Sequence, residues 1–293
     1  MRITRIFVGG YREDVRFTQC CIASIRRWYP AIPITLIKDE LAGAYDTSDL
    51  ERHFQVEIFQ TEVKRFGWGM SKLEPLFLST RERCLIIDSD VMFLGKVLEP
   101  LEERDEDFVV ASEPHPLSEI RSYYFHEEAI QRLYPSFRFP GYVFNTGQIV
   151  TNTGIFERDE FAPFVSFSEP RIELQPQTFF HDQGILNYLV LSKVQQGQLS
   201  LRREPFMKWA GRMHPREAEI SKLGPDSAYP IMVHWAGPKT GGFSTVPMRY
   251  LLDFFEDEYY RVIGLQGWRR YLHEKRSDTG SFRSYLRRKL PYF

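Results

Sequence analysis

Short apolar runs alternate with longer amphipathic stretches along most of this chain. Ile3 to Val8 has the length and character of a strand. Phe17, Cys20, Cys21, Ser24, Ile25 and Trp28 then recur at helical spacing until Pro30 closes the segment. Ile34 to Ile37 and Val56 to Phe59 read as further strands, Met70 to Ser79 as a helix, and Cys84 to Asp88 and Phe108 to Ala111 as strands. Gln148 to Val150 resumes a strand, and Asp182 to Leu191 carries helical periodicity through Ile185, Leu186 and Leu189. Ile231 to Val233 is a compact strand ending at His234. The stretch from Pro114 to Pro140, rich in Tyr, Phe, His and Pro, reads as a variable excursion rather than a core element. The alternation predicts an α/β fold in which one mostly parallel central sheet is flanked by helices.

Two of these strands end in side chains that carry chemistry. Leu85-Ile86-Ile87 reads as a strand buried on both faces, and it stops at Asp88-Ser89-Asp90. If extended geometry continues through Ser89, side chains two residues apart leave the backbone on the same side, so Asp88 and Asp90 can reach one divalent cation at the strand's carboxyl end. Ionised carboxylates beside an apolar core are costly unless paired or metal-bound. Asp-x-Asp also caps strands and starts turns, so the flanking strand is what favours a site. His234 likewise follows an apolar strand, and behind it comes Trp235-Ala236-Gly237-Pro238-Lys239-Thr240-Gly241-Gly242, a glycine-rich turn containing a cation. Backbone amides of such a turn and the Lys239 ammonium suit diphosphate oxygens, and an imidazole can complete a cation's coordination. A histidine at a strand end also serves purely structural roles.

Composition narrows the classes. The 293 residues, 43% hydrophobic and 26% charged, are enough for one substantial core, and a net charge of -1 with a pI near 6.7 offers no global basic field for nucleic acid. Cys20, Cys21 and Cys84 lack metal-ligand spacing, which fits a reducing cytoplasm. No apolar run approaches the roughly 20 residues of a membrane span, and the amino terminus is not a signal peptide, so any membrane contact is peripheral.

An ordered set of segments carries a resemblance. Trp68-Gly69-Met70-Ser71-Lys72-Leu73, Leu85-Ile86-Ile87-Asp88-Ser89-Asp90, Phe144-Asn145-Thr146-Gly147, His181-Asp182-Gln183-Gly184-Ile185-Leu186-Asn187 and Val233-His234-Trp235-Ala236-Gly237-Pro238-Lys239 occur in the order seen in family 8 glycosyltransferases, over roughly residues 1 to 245. That family includes glycogenin and bacterial lipopolysaccharide galactosyl- and glucosyltransferases. The resemblance implies a GT-A fold, a nucleotide-binding half and an acceptor half sharing one sheet, and transfer of a hexose from a UDP-sugar with retention at the anomeric carbon. It implies Asp88, Asp90 and His234 as ligands of Mn2+, with Mg2+ as the alternative, and Lys72 and Ser89 as donor contacts. Asn145 and Asp182 resemble residues that bind the transferred sugar, and Gln183 resembles the amide near its reacting carbon. The chain departs from the family pattern where Lys239 lies one position closer to Gly237 than usual. It departs again after the first strand, where Val8-Gly9-Gly10-Tyr11 replaces the usual base-reading acid or asparagine and leaves the base to backbone groups and stacking on Tyr11. Acceptor contacts are expected in the excursion and in loops near Trp209 and Arg212. Gln183 is a poor nucleophile, which favours a same-face reaction, and Asp182 and Glu113 are the carboxylates to test for a double displacement.

The expected division is a transferase domain over 1–263 and a basic amphipathic tail over 264–293. From Gln266 to Phe293, eight basic residues face two acidic ones, a local charge of +6, with Trp268, Tyr271, Leu272, Phe282, Tyr285, Leu286 and Leu290 at helical spacing. Such a tail fits either peripheral contact with an anionic membrane, on its cytoplasmic face and suited to a glycan or lipid-linked acceptor, or packing on the core. Two other classes compete with the transferase. A sugar nucleotidyltransferase would carry a longer glycine-rich loop after the first strand than Gly9-Gly10-Tyr11-Arg12. A binding protein or inactive relative would not be expected to keep Asp88, Asp90, Asp182 and His234 together.

Overall fold

The computed structural model describes residues 1–38, 45–61, 68–167, 171–172, 181–224, 227, 229, 231–237, 239, 243–275 and 277. In chain order the strands are β1 (Arg5–Gly9), β2 (Ile34–Ile37), β3 (Val56–Phe59), β4 (Arg83–Asp88), β5 (Val91–Phe93), β6 (Phe108–Ala111), β7 (Gln148–Asn152), β8 (Val165–Ser166), β9 (Arg171–Ile172), β10 (Leu201–Glu204), β11 (Met207–Trp209) and β12 (Met232–His234). The helices are α1 (Val15–Trp28), α2 (Ser48–Phe54), α3 (Trp68–Ser71), α4 (Leu98–Glu102), α5 (Leu117–Tyr123), α6 (Glu127–Leu133), α7 (Arg158–Phe161), α8 (His181–Gln195) and α9 (Arg249–Ile263).

Seven strands form the central sheet in the order β10-β6-β7-β4-β1-β2-β3. All neighbours are parallel except β7, which runs against both β4 and β6. Both faces are covered. Ile6, Val8, Leu85 and Ile87 point into one apolar cluster with α1 and α9, while Phe7, Cys84 and Ile86 point into the other with α8. That alternation explains why these strands read as unbroken apolar runs in the sequence. Asn187 of α8 is pinned to the chain before β7 by a reciprocal pair of 2.9 Å bonds, donating to Phe144 O and accepting from Phe144 N.

A second sheet, β11-β12-β5, sits beside the end of β4. β12 is parallel to β11 and antiparallel to β5, with His234 in register with Val91 on one side and Trp209 on the other. No helix among the described residues is long and apolar enough to cross a membrane.

Three expectations need correction. The helix expected over Met70 to Ser79 is a short α-turn followed by a 3-10 turn, Glu74–Phe77, because Pro75 lacks the amide that a continuous helix requires. The Pro114 to Pro140 excursion is not outside the core: α5 and α6 lie in it, and Ile120, Tyr124, Phe125, Ile130 and Phe137 are buried in the second cluster. Extended geometry stops at Asp88, and Ser89 and Asp90 form a turn into β5.

Candidate active site

β4 ends between β1 and β7, with Gly9 beside Asp88 on one side and the Asp88 amide donating to Gly147 O at 2.8 Å on the other. The turn at Ser89 then reverses the chain into β5. Pairing of β5 with β12, extended by Trp235 N donating to Asp90 O at 3.1 Å, draws Asp90 toward His234. Two aspartates and a histidine about 145 residues away therefore meet through strand pairing across a turn rather than through one extended strand. His234 Nε2 lies 3.2 Å from Asp90 Oδ1 and 3.9 Å from Asp88 Oδ2. One ligand atom from each residue falls within 4.8 Å of the other two.

Gly147 makes this convergence possible. A Cβ there would stand 2.4 Å from His234 Cε1 and 2.7 Å from both Asn145 Oδ1 and Asp88 Oδ2. The side chains converge on space that only glycine leaves open.

Two ammonium groups, that of buried Lys72 and that of partly buried Lys239, flank the acids. Lys72 Nζ donates to Asp88 Oδ1 at 2.8 Å and lies 3.2 Å from Asp182 Oδ2, which also accepts from Thr146 Oγ1 at 2.8 Å. On the other side, Lys239 Nζ contacts Asp90 Oδ2 at 2.5 Å and Asp14 Oδ2 at 3.2 Å. Burial would raise Asp90, but Lys239 and His234 outweigh it and hold that carboxyl well below the usual range. Asp88 moves upward: burial and the neighbouring Asp90 exceed the opposing pull of Lys72. Burial raises Asp14 to about 6 against the pull of Lys239. The lysines are held in their charged form by these carboxylates despite desolvation.

Among the described residues, four carboxylates, Asp14, Asp88, Asp90 and Asp182, share the two ammonium groups Lys72 and Lys239. The two remaining negative charges match one divalent cation. Carboxylate oxygens with one imidazole suit manganese or magnesium, and buried His234 Nδ1, which has no hydrogen-bond partner among the described residues, leaves Nε2 to face the acids. The donor set fits such an ion.

The other expected sugar-binding residues, Asn145 and Gln183, are bonded to each other. Asn145 Nδ2 donates to Gln183 Oε1 at 2.8 Å, and Asn145 Oδ1 accepts from Gly147 N at 2.8 Å. Asn145 is thereby tied to both the glycine gap and the first turn of α8. A Cβ at Gly69 would stand 2.8 Å from Asp182 Oδ1, so the α3 backbone closes over that carboxylate. Trp209 packs on His234 with ring centroids 5.1 Å apart, and the His115 ring meets Trp209 edge-on at 6.0 Å. Glu113, two residues beyond β6, has its carboxyl raised by burial against the pull of Lys208 and Arg212.

Asp88, Asp90, His234, Lys72, Asp182, Asn145, Gln183 and Lys239 thus form one connected set. Ser89 is buried in the turn between the aspartates. Gly9 borders the set, and a Cβ on it would meet Lys72 Cβ at 3.3 Å. Val8 turns its side chain into the core and is paired inside the sheet between Leu36 and Ile87, so the structure does not bring it to the site. Tyr11 is partly buried in the loop after β1, whereas Gly237, with φ +90, is exposed. Pro238 and residues 240–242 of the expected phosphate loop lie outside the described residues. The sequence reading missed Asp14, Thr146 and Gly147 as functional positions. Asp14 carries no motif, whereas the other two stand inside the Phe144-Asn145-Thr146-Gly147 segment, whose spacing was the available signal.

No protein-family model matches the chain, and no curated protein matches it by sequence. Solved structures do match. The fold is GT-A. The glycosyltransferase GlyE of Streptococcus pneumoniae TIGR4, in its apo form, is 13% identical with a TM-score of 0.55, the match covering 90% of this chain and 63% of that one. The bifunctional glycosyltransferase WbbM is 14% identical with a TM-score of 0.55, over 93% of this chain and 51% of WbbM. The galactosyltransferase LgtC, solved with donor and acceptor sugar analogs, is 13% identical with a TM-score of 0.52, over 89% of this chain and 95% of LgtC. The chain therefore spans about half to under two thirds of GlyE and WbbM, and nearly all of LgtC.

Proposed function

We propose that this protein is a metal-dependent glycosyltransferase of the family 8 type, moving a hexose from a nucleotide sugar, UDP-linked, to a glycan or lipid-linked glycan acceptor with retention of anomeric configuration. The observation that carries this reading is the convergence of Asp88, Asp90 and His234 at the carboxyl end of the central sheet, where open α/β sheets take their ligands. A divalent cation held by these three residues would stabilise the charge that grows on the diphosphate as the sugar–phosphate bond breaks.

The chain's own groups suit the remaining work. Lys72, buried between Asp88 and Asp182, places a fixed positive charge between the metal ligands and the sugar side of the site. Asp182 Oδ2 is already engaged by Lys72 and Thr146, which suits a carboxylate that orients sugar hydroxyls better than one that attacks carbon. With its Oε1 occupied by Asn145, Gln183 keeps its amide N–H groups for the donor. In the same-face route, the acceptor oxygen bonds to the anomeric carbon on the side that the diphosphate leaves, and the acceptor's proton passes to the departing diphosphate.

Peripheral membrane contact belongs to this proposal. Trp268, Tyr271 and Leu272 are 69%, 58% and 46% exposed on a helix over 267–275 that is tethered through His273 to Tyr260 and Asp49. Residues 278–293 of the expected tail lie outside the described residues. On this reading the protein works at the cytoplasmic face of a membrane.

The test is a panel of nucleotide sugars incubated with Mn2+ and no acceptor, following nucleotide release. Wild type should hydrolyse one donor slowly, and Asp90→Ala and His234→Ala should abolish release while remaining folded. Undiminished turnover in either variant would refute the assignment. Formation of nucleotide sugar from nucleoside triphosphate and sugar phosphate would favour the nucleotidyltransferase instead.

A further inference from the structure

Lys239 sits where a phosphate-binding lysine is expected, but its contacts point inward. Its ammonium lies 2.5 Å from Asp90 Oδ2 and 3.2 Å from Asp14 Oδ2, its side chain is only 16% exposed, and its charge stands 5.0 Å from the centre of the Phe17 ring. Asp90 is divided between two partners, with Oδ1 facing His234 Nε2 and Oδ2 taken by Lys239. Asp14, at the amino end of α1, is the second carboxylate within the ammonium's reach.

A cation bound to Asp90 changes that balance. The ion cancels the attraction Asp90 exerts on Lys239 and adds repulsion between like charges in a poorly solvated site. Lys239 then has two alternative anions, Asp14 and a donor diphosphate.

We propose that Lys239 is a resident counter-ion of the metal centre: it neutralises Asp90 while the divalent cation is away, shifts onto Asp14 when the cation arrives, and is drawn off by a diphosphate. Lys239 therefore opposes binding of the metal alone yet supports binding of the diphosphate, which couples the two ligands by linkage. The proposal rests on the metal-centre reading above and adds to it a role for Asp14, acting through Lys239, that a plain phosphate-binding lysine would not need.

The experiment is calorimetric titration of the full chain with MnCl2 at pH 7.5 without nucleotide, then with UDP at saturating Mn2+. Removing one positive charge beside Asp90 should tighten Mn2+ binding by Lys239→Met about tenfold. The same variant should bind UDP more weakly than wild type. Asp14→Asn should weaken Mn2+ binding in the wild-type background and have little effect beside Lys239→Met, because Asp14 acts through the lysine. Equal or weaker Mn2+ binding by Lys239→Met overturns the proposal, as does an Asp14→Asn effect that persists in the double variant. Mn2+ binding by Lys239→Met but not by wild type supports it. Failure of both proteins to bind Mn2+ removes the metal centre itself and the proposal with it. Amine labelling of wild-type Lys239 gives an independent measurement: labelling should increase on adding Mn2+ and fall when UDP follows, and an unchanged pattern counts against the exchange.

Discussion

Replacing Gly147 by alanine isolates the geometry of the metal centre from its chemistry. No ligand is removed and no charge changes. Gly147 is not among the positive-φ glycines, so alanine adds no backbone strain. The added methyl would lie 2.4 Å from His234 Cε1 and 2.7 Å from Asp88 Oδ2 and Asn145 Oδ1. Carbon atoms pack at about 3.5 Å or more, so the imidazole must retreat by about 1 Å or the β7 end must shift. Overpacking of this kind costs about 1–3 kcal/mol. A misplacement of about 1 Å can lower activity about 100-fold. Differential scanning fluorimetry and Mn2+ calorimetry on Gly147→Ala should therefore show a melting temperature lower by several degrees and Mn2+ affinity reduced at least tenfold. Gly224→Ala is the control, because nothing lies within 4 Å of the added carbon. If Gly147→Ala melts and binds Mn2+ like wild type, the three ligands do not depend on that gap and the convergence described here is wrong.

Two further outcomes are expected. Asp14 has a folded-state pKa raised to about 6 from an ordinary 3.8, so the folded chain keeps a proton that the unfolded chain releases, and wild-type stability falls relative to Asp14→Asn as pH rises between those values. Melting temperatures taken from pH 4 to pH 6 should show the difference moving in the variant's favour, and a constant difference would refute the shift. Co-sedimentation with vesicles containing phosphatidylserine should fall several-fold on combining Trp268→Ala with Tyr271→Ala, and equal pelleting of wild type and variant would remove the membrane role from the proposal.

The parts of the fold that were legible in the sequence are those where burial is two-sided. β1, β2, β4 and β6 appear as apolar runs because both faces of the sheet are covered, and their order with α1 and α8 specified the α/β class. β10 escaped because three of its four residues, Arg202, Arg203 and Glu204, are charged, as an edge strand permits. β5 and β11 are three residues long and too short for periodicity. α9 is legible in the chain, since Leu251, Leu252, Phe255, Tyr259 and Tyr260 recur at helical spacing. In the site, Asp88, Asp90 and His234 could be picked out because each ends or follows an apolar strand. The bond from Lys239 to Asp14 spans 225 residues and has no local pattern to announce it.

The pairing of β5 with β12 has a consequence for biosynthesis. Both aspartates leave the ribosome long before the imidazole that completes their set, and the strand carrying it cannot dock until β11 and the intervening loops have been made. A nascent chain with most of its central sheet in place therefore still lacks the third ligand. Readiness to hold the ion arrives late in translation, so a chain halted ahead of residue 232 would be arrested in an unarmed form.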